Sequence, residues 1–444
     1  MTDLRAPAVT YQQLLDADSR EVPTQYRWVS PIGPGPTFVP VDRYISPEFH
    51  QLEREHLWSR VWQMACRLEV IPEVGDHITY EIAGMSILVV RSAPDTVSAY
   101  RNICLHRGRL LKESSGRDEE LRCAFHGFAW NLDGSLKQVP CAADFPHVTD
   151  EWRLPAVQTG IWGGFVFVNL DLTAPPLEEY LGDLSAHFAP WPLEERYTQA
   201  HVGKVLRCNW KLAQEAFMEA YHVVATHPQL LPSLGDANSQ YDVFGNFCRA
   251  ITANGTPSPH LKWQPTEQEM LDAMLDRNLD EPAMLTVAEG STARRTSADM
   301  RRNALAAVLG EAAQQLSDAE VNDSIYYTVF PNFHPWGAYN RIVYRFRPWQ
   351  NRHDQCLMEC FFMAPFDGER PPPAPLRLLG PDDDWTEAYE LGLLARVFNQ
   401  DVFNLPKVQA GLESGALDTV TFADYQETKL RHFHALLTDW IQPS

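Results

Sequence analysis

The stretch from Arg101 to Trp130, RNICLHRGRLLKESSGRDEELRCAFHGFAW, limits this chain more than any other. It holds Cys104-x-His106 and, after a gap of sixteen residues, Cys123-x-x-His126. Each pair offers one thiolate and one imidazole from a short loop. Two such pairs predict a centre with one metal held by sulfur and another by nitrogen. That is the ligand set of a [2Fe–2S] cluster in which two His replace two Cys on one iron. Gly108 and Gly127 follow the two His, where a backbone must turn tightly around a cluster. A Cys2His2 zinc site has the same ligand count. Zinc fingers, however, group Cys with Cys and His with His, so the mixed pairs favour iron–sulfur.

At 444 residues the chain has room for two to three domains and a buried core. Its make-up, 45% hydrophobic and 21% charged, is that of a soluble globular protein. A net charge of −21 and a pI near 5.1 give a surface that repels nucleic acid and anionic membranes, so neither is an expected partner. The N-terminal MTDLRAPAVTYQQLLDADSR has no apolar targeting core and is too acidic for a transit peptide. The most apolar run, IWGGFVFVNL at 161–170, is about half the roughly 20 residues that span a bilayer. A cytoplasmic location is expected. Of eight cysteines only Cys104 and Cys123 fall in a metal pattern. The rest, Cys356-x3-Cys360 included, are expected as small buried hydrophobes in a reducing compartment.

Residues 1 to about 40, rich in Pro and Gly, read as an extended arm. From Ser46, SPEFHQLEREHLWSRVWQMACR has helical apolar spacing, with Ser46 as N-cap and Pro47 at the first position. From Gly75 the period becomes two: HITYEIAG and MSILVVRS predict two strands joined at Ala83-Gly84. Strand-like runs continue to GFVFVNL, so residues 60–172 predict a small all-β unit carrying the Cys/His loops. Beyond it, helices are expected at 177–184, 209–226, across 265–322 with a break near 290–297, at 385–408 and at 425–441. Strands are expected at 241–252, 325–330, 338–347 and 355–363. The economical architecture is an antiparallel sheet with helices packed on it.

Within NWKLAQEAFMEAYHVVATHPQ lie Glu215, Glu219, His222 and His227. A packed face of Leu212, Ala213, Ala216, Phe217, Ala220 and Tyr221 is expected. His222 and His227 are about 500° of ideal turn apart, so they share one metal only if the helix opens or distorts between them. Two His with one carboxylate form a facial triad that binds Fe(II) and activates O2. Apolar Phe217, Met218 and Val223, with the segment 330–336, are expected around a substrate pocket. Near the cluster, Arg101, Arg107, Arg109, Lys112, Arg117 and Arg122 are basic residues interleaved with acids. They read either as a solvated loop or as a docking surface for an acidic electron donor.

The Cys-x-His-Arg-Gly and Cys-x-x-His-Gly-Phe-x-Trp runs resemble those of Rieske non-haem iron oxygenase α subunits, the aromatic-ring-hydroxylating oxygenase family. The resemblance extends over roughly residues 44–412. It implies an α+β chain: an arm at 1–45, an all-β Rieske [2Fe–2S] domain with a leading helix at 46–172, and a helix-grip-like catalytic domain at 173–444 with an antiparallel sheet and helices. It implies Cys104, His106, Cys123 and His126 as cluster ligands and a mononuclear Fe(II) held by His222, His227 and a carboxylate on a late helix. In NQDVFNLPKVQAGL that carboxylate is Asp401. It further implies Glu219 as a bridge between one subunit's cluster and its neighbour's iron, in a homotrimer with or without a small β subunit. Electrons would come from NAD(P)H through a separate reductase, with or without a ferredoxin, since no Gly-rich dinucleotide fingerprint is present. The reaction implied is O2-dependent hydroxylation of an aromatic or hydrophobic small molecule, as in aromatic hydrocarbon catabolism. The alternatives are an O- or N-demethylating or quaternary-ammonium monooxygenase, and a non-catalytic Rieske electron carrier. Glu219, where many members have Asp, and Ala216, where ring-dihydroxylating members often have Asn, are departures from the dihydroxylase pattern.

Overall fold

The computed structural model describes residues 9–33, 35–275 and 285–442. The start of the expected arm, its Pro34 and residues 276–284 of the expected helical stretch lie outside the described residues.

Two large sheets carry the chain. The first is seven-stranded, in the order Gln63–Arg67, Phe165–Asn169, Ala156–Trp162, Thr96–Arg101, Met85–Ala93, Asp76–Ile82, Gly116–Arg117. All its pairs are antiparallel. The expected hairpin forms, and Ala83 and Gly84 turn it with φ of 46° and 74°. The ILVV run of its second strand is buried on both faces. Ile87 and Val89 join the main core, whereas Leu88 and Val90 join a smaller one with Cys104, Cys123, Phe128 and Trp130. One strand thus separates the Cys/His loops from the rest of the protein.

The second sheet has eight strands, in the order Gln240–Phe244, Phe247–Thr252, Ser324–Val329, Phe333–Pro335, Ile342–Pro348, Cys356–Pro365, Arg196–Leu206, Leu376–Leu379. Its last pair is parallel, an exception to the expected antiparallel pattern. The helix Trp210–Glu215 lies on the strands Ile342–Pro348 and Cys356–Pro365. The helix Leu394–Glu413 contacts Trp210–Glu215, and Thr428–Ile441 lies on the strands Gln240–Phe244 and Phe247–Thr252. Arg345 ties the two sheets together. It forks onto Glu359 at 2.8 and 2.7 Å and donates to the carbonyls of Met64 and Ala65 at 3.0 and 2.6 Å.

Several expectations need correction. Ser46 caps a helix, Pro47–Leu52, but the turn widens at Glu53–Trp58 and the chain then enters the strand Gln63–Arg67. Glu53 at that wide turn is buried against Lys211 and accepts from Trp210 Nε1 at 3.2 Å, so a core ion pair interrupts the amphipathic pattern. The strand expected from Ala338 starts at Ile342, because Ala338 itself turns with φ 53°. The helix expected at 385–408 is two short turns followed by Leu394–Glu413. Helix Ala293–Leu309 begins inside the expected break, capped by Thr292. The arm is not free. Tyr11 donates to Asp323 at 2.7 Å, Ser19 to Asp318 at 2.8 Å, and the arm strand Phe38–Pro40 pairs with Thr419–Thr421. Among the described residues no helix is long and apolar enough to cross a membrane.

Candidate metal centres

The two Cys/His loops share one backbone design. Gly108 N donates to Cys104 O at 2.9 Å and Gly127 N to Cys123 O at 3.0 Å, and both glycines take left-handed φ, 77° and 78°. Each loop closes because Cys104 N donates to Arg109 O and Cys123 N to Phe128 O, at 2.7 and 2.8 Å. The loops bring like atoms together. The Cys104 thiol meets that of Cys123, and the rings of His106 and His126 lie 4.6 Å apart. Nδ1 of both imidazoles is buried without a hydrogen-bond partner. A buried pair of sulfurs beside two orphaned ring nitrogens fits a cluster held by sulfur on one side and nitrogen on the other. Phe128 stacks on His106 at 4.6 Å, and Arg107 approaches Nε2 of His126 at 2.8 Å. Partial burial, with Arg107 and His106 nearby, holds the His126 pKa below its ordinary value. Outside, the loops end in an exposed apolar tip of Phe125, Leu110 and Ile103. Four of the six basic residues are paired with acids: Arg109 with Glu113, Lys112 with Asp118, Arg117 with Asp76 and Arg122 with Glu120.

The second centre depends on a broken helix. The helix expected over 209–226 opens after Glu215 and resumes as the single turn Val223–Thr226. The break therefore precedes His222, the N-cap of that turn, rather than falling between the two His. His227 is its C-cap, with φ −127° and ψ 54°, and Pro228 prevents further helix. The break exposes Tyr221, expected in the packed face. Its freed amides find partners: Ala220 N donates to Tyr241 Oη at 3.2 Å and His222 N to Glu219 Oε2 at 3.0 Å. The opposite wall is the helix Leu394–Glu413, fastened where Gln409 accepts from Asn209 N at 2.9 Å.

His222, His227 and Asp401 come together with ligand atoms all within 4.8 Å of one another. Nδ1 of His222 donates to Glu219 Oε1 at 2.6 Å, and Nδ1 of His227 donates to Gln400 Oε1 at 2.7 Å. With Nδ1 carrying the proton, each neutral ring turns a bare Nε2 toward Asp401 Oδ1, at 3.6 and 2.9 Å. Lone pairs facing a carboxylate call for a cation, either a metal or an added proton. Burial lowers the His222 pKa, but Glu219 and Asp401 together outweigh it and hold the group above its ordinary value. Outer acceptors on both ring nitrogens are the arrangement metal-binding His require. Gln400 and Tyr241 have no motif of their own, and only Gln400's place beside Asp401 hints at its role.

A cavity of about 260 Å³ opens on the triad, walled by Phe217, Tyr326, Trp336, Tyr344, Phe398 and Val223. Met218 and Phe330, expected in the pocket, pack into the main core instead. No Lys or Arg is among the described residues lining it.

The sequence models for known families match at both centres. Residues 61–155 match the Rieske [2Fe–2S] domain, and residues 183–443 match the ring hydroxylating alpha subunit, catalytic domain. The chain belongs to the ring hydroxylating alpha subunits. It is 32% identical over 199 residues to the glycine betaine monooxygenase oxygenase subunit of Chromohalobacter salexigens, covering 44% of each chain. It is 32% identical over 191 residues to chlorobenzene dioxygenase subunit alpha of a Cupriavidus species, covering 41% of this chain and 42% of that one. The chain spans about half the length of the curated relatives it matches. In structure it resembles a quaternary ammonium Rieske monooxygenase that oxidises carnitine, with a TM-score of 0.64 at 17% identity over 91% of this chain and 95% of that one. It also resembles naphthalene 1,2-dioxygenase from a Rhodococcus species, with a TM-score of 0.62 at 20% identity over 91% of this chain and 94% of that one. The fold is that of the Rieske oxygenases, an all-β cluster domain joined to a mixed catalytic domain.

Proposed function

We propose that the chain is the terminal oxygenase of a Rieske system, hydroxylating an uncharged aromatic or similarly hydrophobic small molecule. The observation that carries this reading is the convergence of His222, His227 and Asp401 on an aromatic-walled cavity, in a chain with a second, sulfur-bearing ligand set. In this reading Cys104, His106, Cys123 and His126 hold the [2Fe–2S] cluster and the triad holds one Fe(II), within a cluster domain at 46–172 and a catalytic domain at 173–444. Bound there, the iron supplies O2 activation with electrons relayed from the cluster. The chain's own part is placement. Phe217, Tyr344 and Phe398 hold a flat apolar body beside the triad and keep water out. Glu219 and Gln400 fix the ring orientation of the two His.

The second reading, a quaternary-ammonium monooxygenase, is favoured by the same aromatic rings, whose π-faces suit a methylated cation, and by Glu219. Against it, a betaine's carboxylate would meet no Lys or Arg in the cavity lining. The ring of Tyr326, moreover, already has Lys429 Nζ at 4.4 Å. Mixing reduced, metal-loaded protein with O2 and a panel of aromatics, aryl methyl ethers and betaines tests the choice. Hydroxylated arenes support the first reading, demethylated betaines the second, and iron confined to the cluster would leave a non-catalytic carrier.

The partners follow from the same reading. A reductase, with or without a ferredoxin, delivers electrons in the cytoplasm. The exposed tip of one copy docks head to tail against another's triad, closing a ring of three. Arg101 and Arg107 are the two of the six without an acid partner among the described residues, and Arg107, beside Phe125 at the tip, then becomes the chief basic candidate for donor steering.

A further inference from the structure

A second cavity, of about 250 Å³, lies behind the triad. Ala216, Glu219, His222 and Asp401 line both cavities and so form the wall between them. The two spaces differ sharply. The first is aromatic, and its tyrosines Tyr326 and Tyr344 are held by burial far above the range in which a phenol releases its proton at neutral pH. The second gathers the carboxyls of Glu215, Glu219, Asp401 and Glu427.

Monohydroxylation of a substrate by O2 uses two electrons and two protons and leaves one water. Adding both oxygens to a ring uses the same two electrons and two protons. The proposed reaction therefore needs a proton source beside the triad, and among the described residues lining the aromatic cavity the only carboxyls and imidazoles are those of the triad and Glu219. Glu219 is engaged as an acceptor by both His222 N and Nδ1. Glu427 accepts from the Ala423 amide at 2.6 Å, but burial outweighs that bond and raises its pKa, so it is the rival carboxyl on this cavity.

Glu215 is set differently. It ends the helix Trp210–Glu215 and is buried, and its oxygens lie 3.1 and 3.2 Å from Tyr44 Oη. His434 Nε2 lies 2.8 Å from Oε1 and 2.9 Å from Tyr44 Oη. Nδ1 of His434 faces the guanidinium of Arg43 at 3.0 Å and must accept, so Nε2 carries the ring proton. Two donors thus wait on a carboxyl that opens on the second cavity. Resting on the oxygenase reading, we propose that Glu215 is the proton reservoir for the oxygen chemistry, releasing its proton through cavity water toward the triad. The O–H bond of the carboxyl breaks, the proton passes to water in a cavity roomy enough for several molecules, and the anion left behind accepts from Tyr44 and His434. The charged groups around it divide. Glu219, Asp401 and Glu427 face the same cavity, and of these Glu427 holds the proton on. Arg43 and Lys211, the latter paired with Glu53, favour its release. Burial dominates and pushes the Glu215 carboxyl up to about 8, so it is charged with a proton at neutral pH.

The test uses the full chain loaded with its metals. Infrared titration should reveal a protonated-carboxyl band that disappears with a midpoint near 8 and is missing in Glu215→Gln. Single turnover of the pre-reduced variant with O2 should be slowed ~100-fold, with metal content and cluster reduction unchanged. Tyr44→Phe keeps the carboxyl but removes one donor to its anion, so the infrared midpoint should move up. That variant decides the matter if Glu215→Gln does not fold. A Glu215 band absent at neutral pH, wild-type turnover in Glu215→Gln, or the loss appearing in Glu427→Gln instead would overturn the proposal. Failure of the unaltered protein to consume O2 would overturn the oxygenase reading itself, and the infrared arm separates the two.

Discussion

The two candidate centres are built in opposite ways. The Cys/His loops draw all four donors from Cys104 to His126, on one small core and with identical turns. The triad joins the two ends of the catalytic half, since His227 and Asp401 are 174 residues apart. The loops close locally, at little entropic cost. The triad exists only when a broken helix and a late helix have docked. A site of the first kind tolerates change elsewhere in the chain, whereas a site of the second kind depends on distant packing.

Substitutions in each centre probe that contrast. The largest effect is expected from Asp401→Ala, which should empty the triad while the cluster's visible spectrum persists. Loss of even an outer partner costs ~10–100-fold in metal affinity, so loss of a ligand should exceed that, and iron analysis with turnover measures it. Retained iron and activity would mean the carboxylate is not a ligand. Next, His106→Cys or His126→Cys should convert the nitrogen side to thiolate and lower the potential toward about −400 mV. A potential unchanged in redox titration would refute the ligand set. Third, Glu219→Gln should leave both metals bound and cut single turnover by ~10–100-fold. Wild-type cluster reoxidation would reduce Glu219 to a cap for His222 N. Fourth, Gly108→Ala meets nothing closer than Ile103 Cδ1 at 4.0 Å, so its cost is backbone strain at φ 77°. About 1–2 kcal/mol lost in thermal denaturation is expected.

The last probe is pH. The Glu215 carboxyl, ordinarily 4.5, is raised to about 8 in the fold. The folded chain therefore binds this proton more tightly than the unfolded one. Its stabilising contribution is complete below the unfolded value and is lost as pH rises through about 8. The denaturant midpoint should fall between about pH 4.5 and about pH 8, and fall less in Glu215→Gln, whose amide mimics the neutral acid.

The same contrast decides what was legible in the sequence. Spacing alone singled out Cys104, His106, Cys123 and His126 as a set that the fold brings together, because loop geometry is written in adjacent residues. His222 and His227 were visible as a pair that a regular helix could not unite, yet the site of the break was not. It depends on Tyr241, a strand residue that accepts the Ala220 amide. Asp401 was reached only through family resemblance, and Gln400 was not reached at all, since nothing local marks a late helix as facing an early one. The period-two strands Asp76–Ile82 and Met85–Ala93 were clear. The wide turn at Glu53–Trp58 was hidden, because a buried Glu–Lys pair breaks the apolar pattern.

The docking of the arm bears on the order in which the chain assembles. Tyr11 meets Asp323 across 312 residues, and the strand Phe38–Pro40 waits for Thr419–Thr421. Residues made before both sheets are thus seated only after the strand Thr419–Thr421 has emerged. A catalytic half produced alone from residue 173 would lack one strand of that pair and the Tyr11 hydroxyl that caps Asp323. It should therefore refold poorly, however complete its triad, until the arm is supplied as a separate peptide.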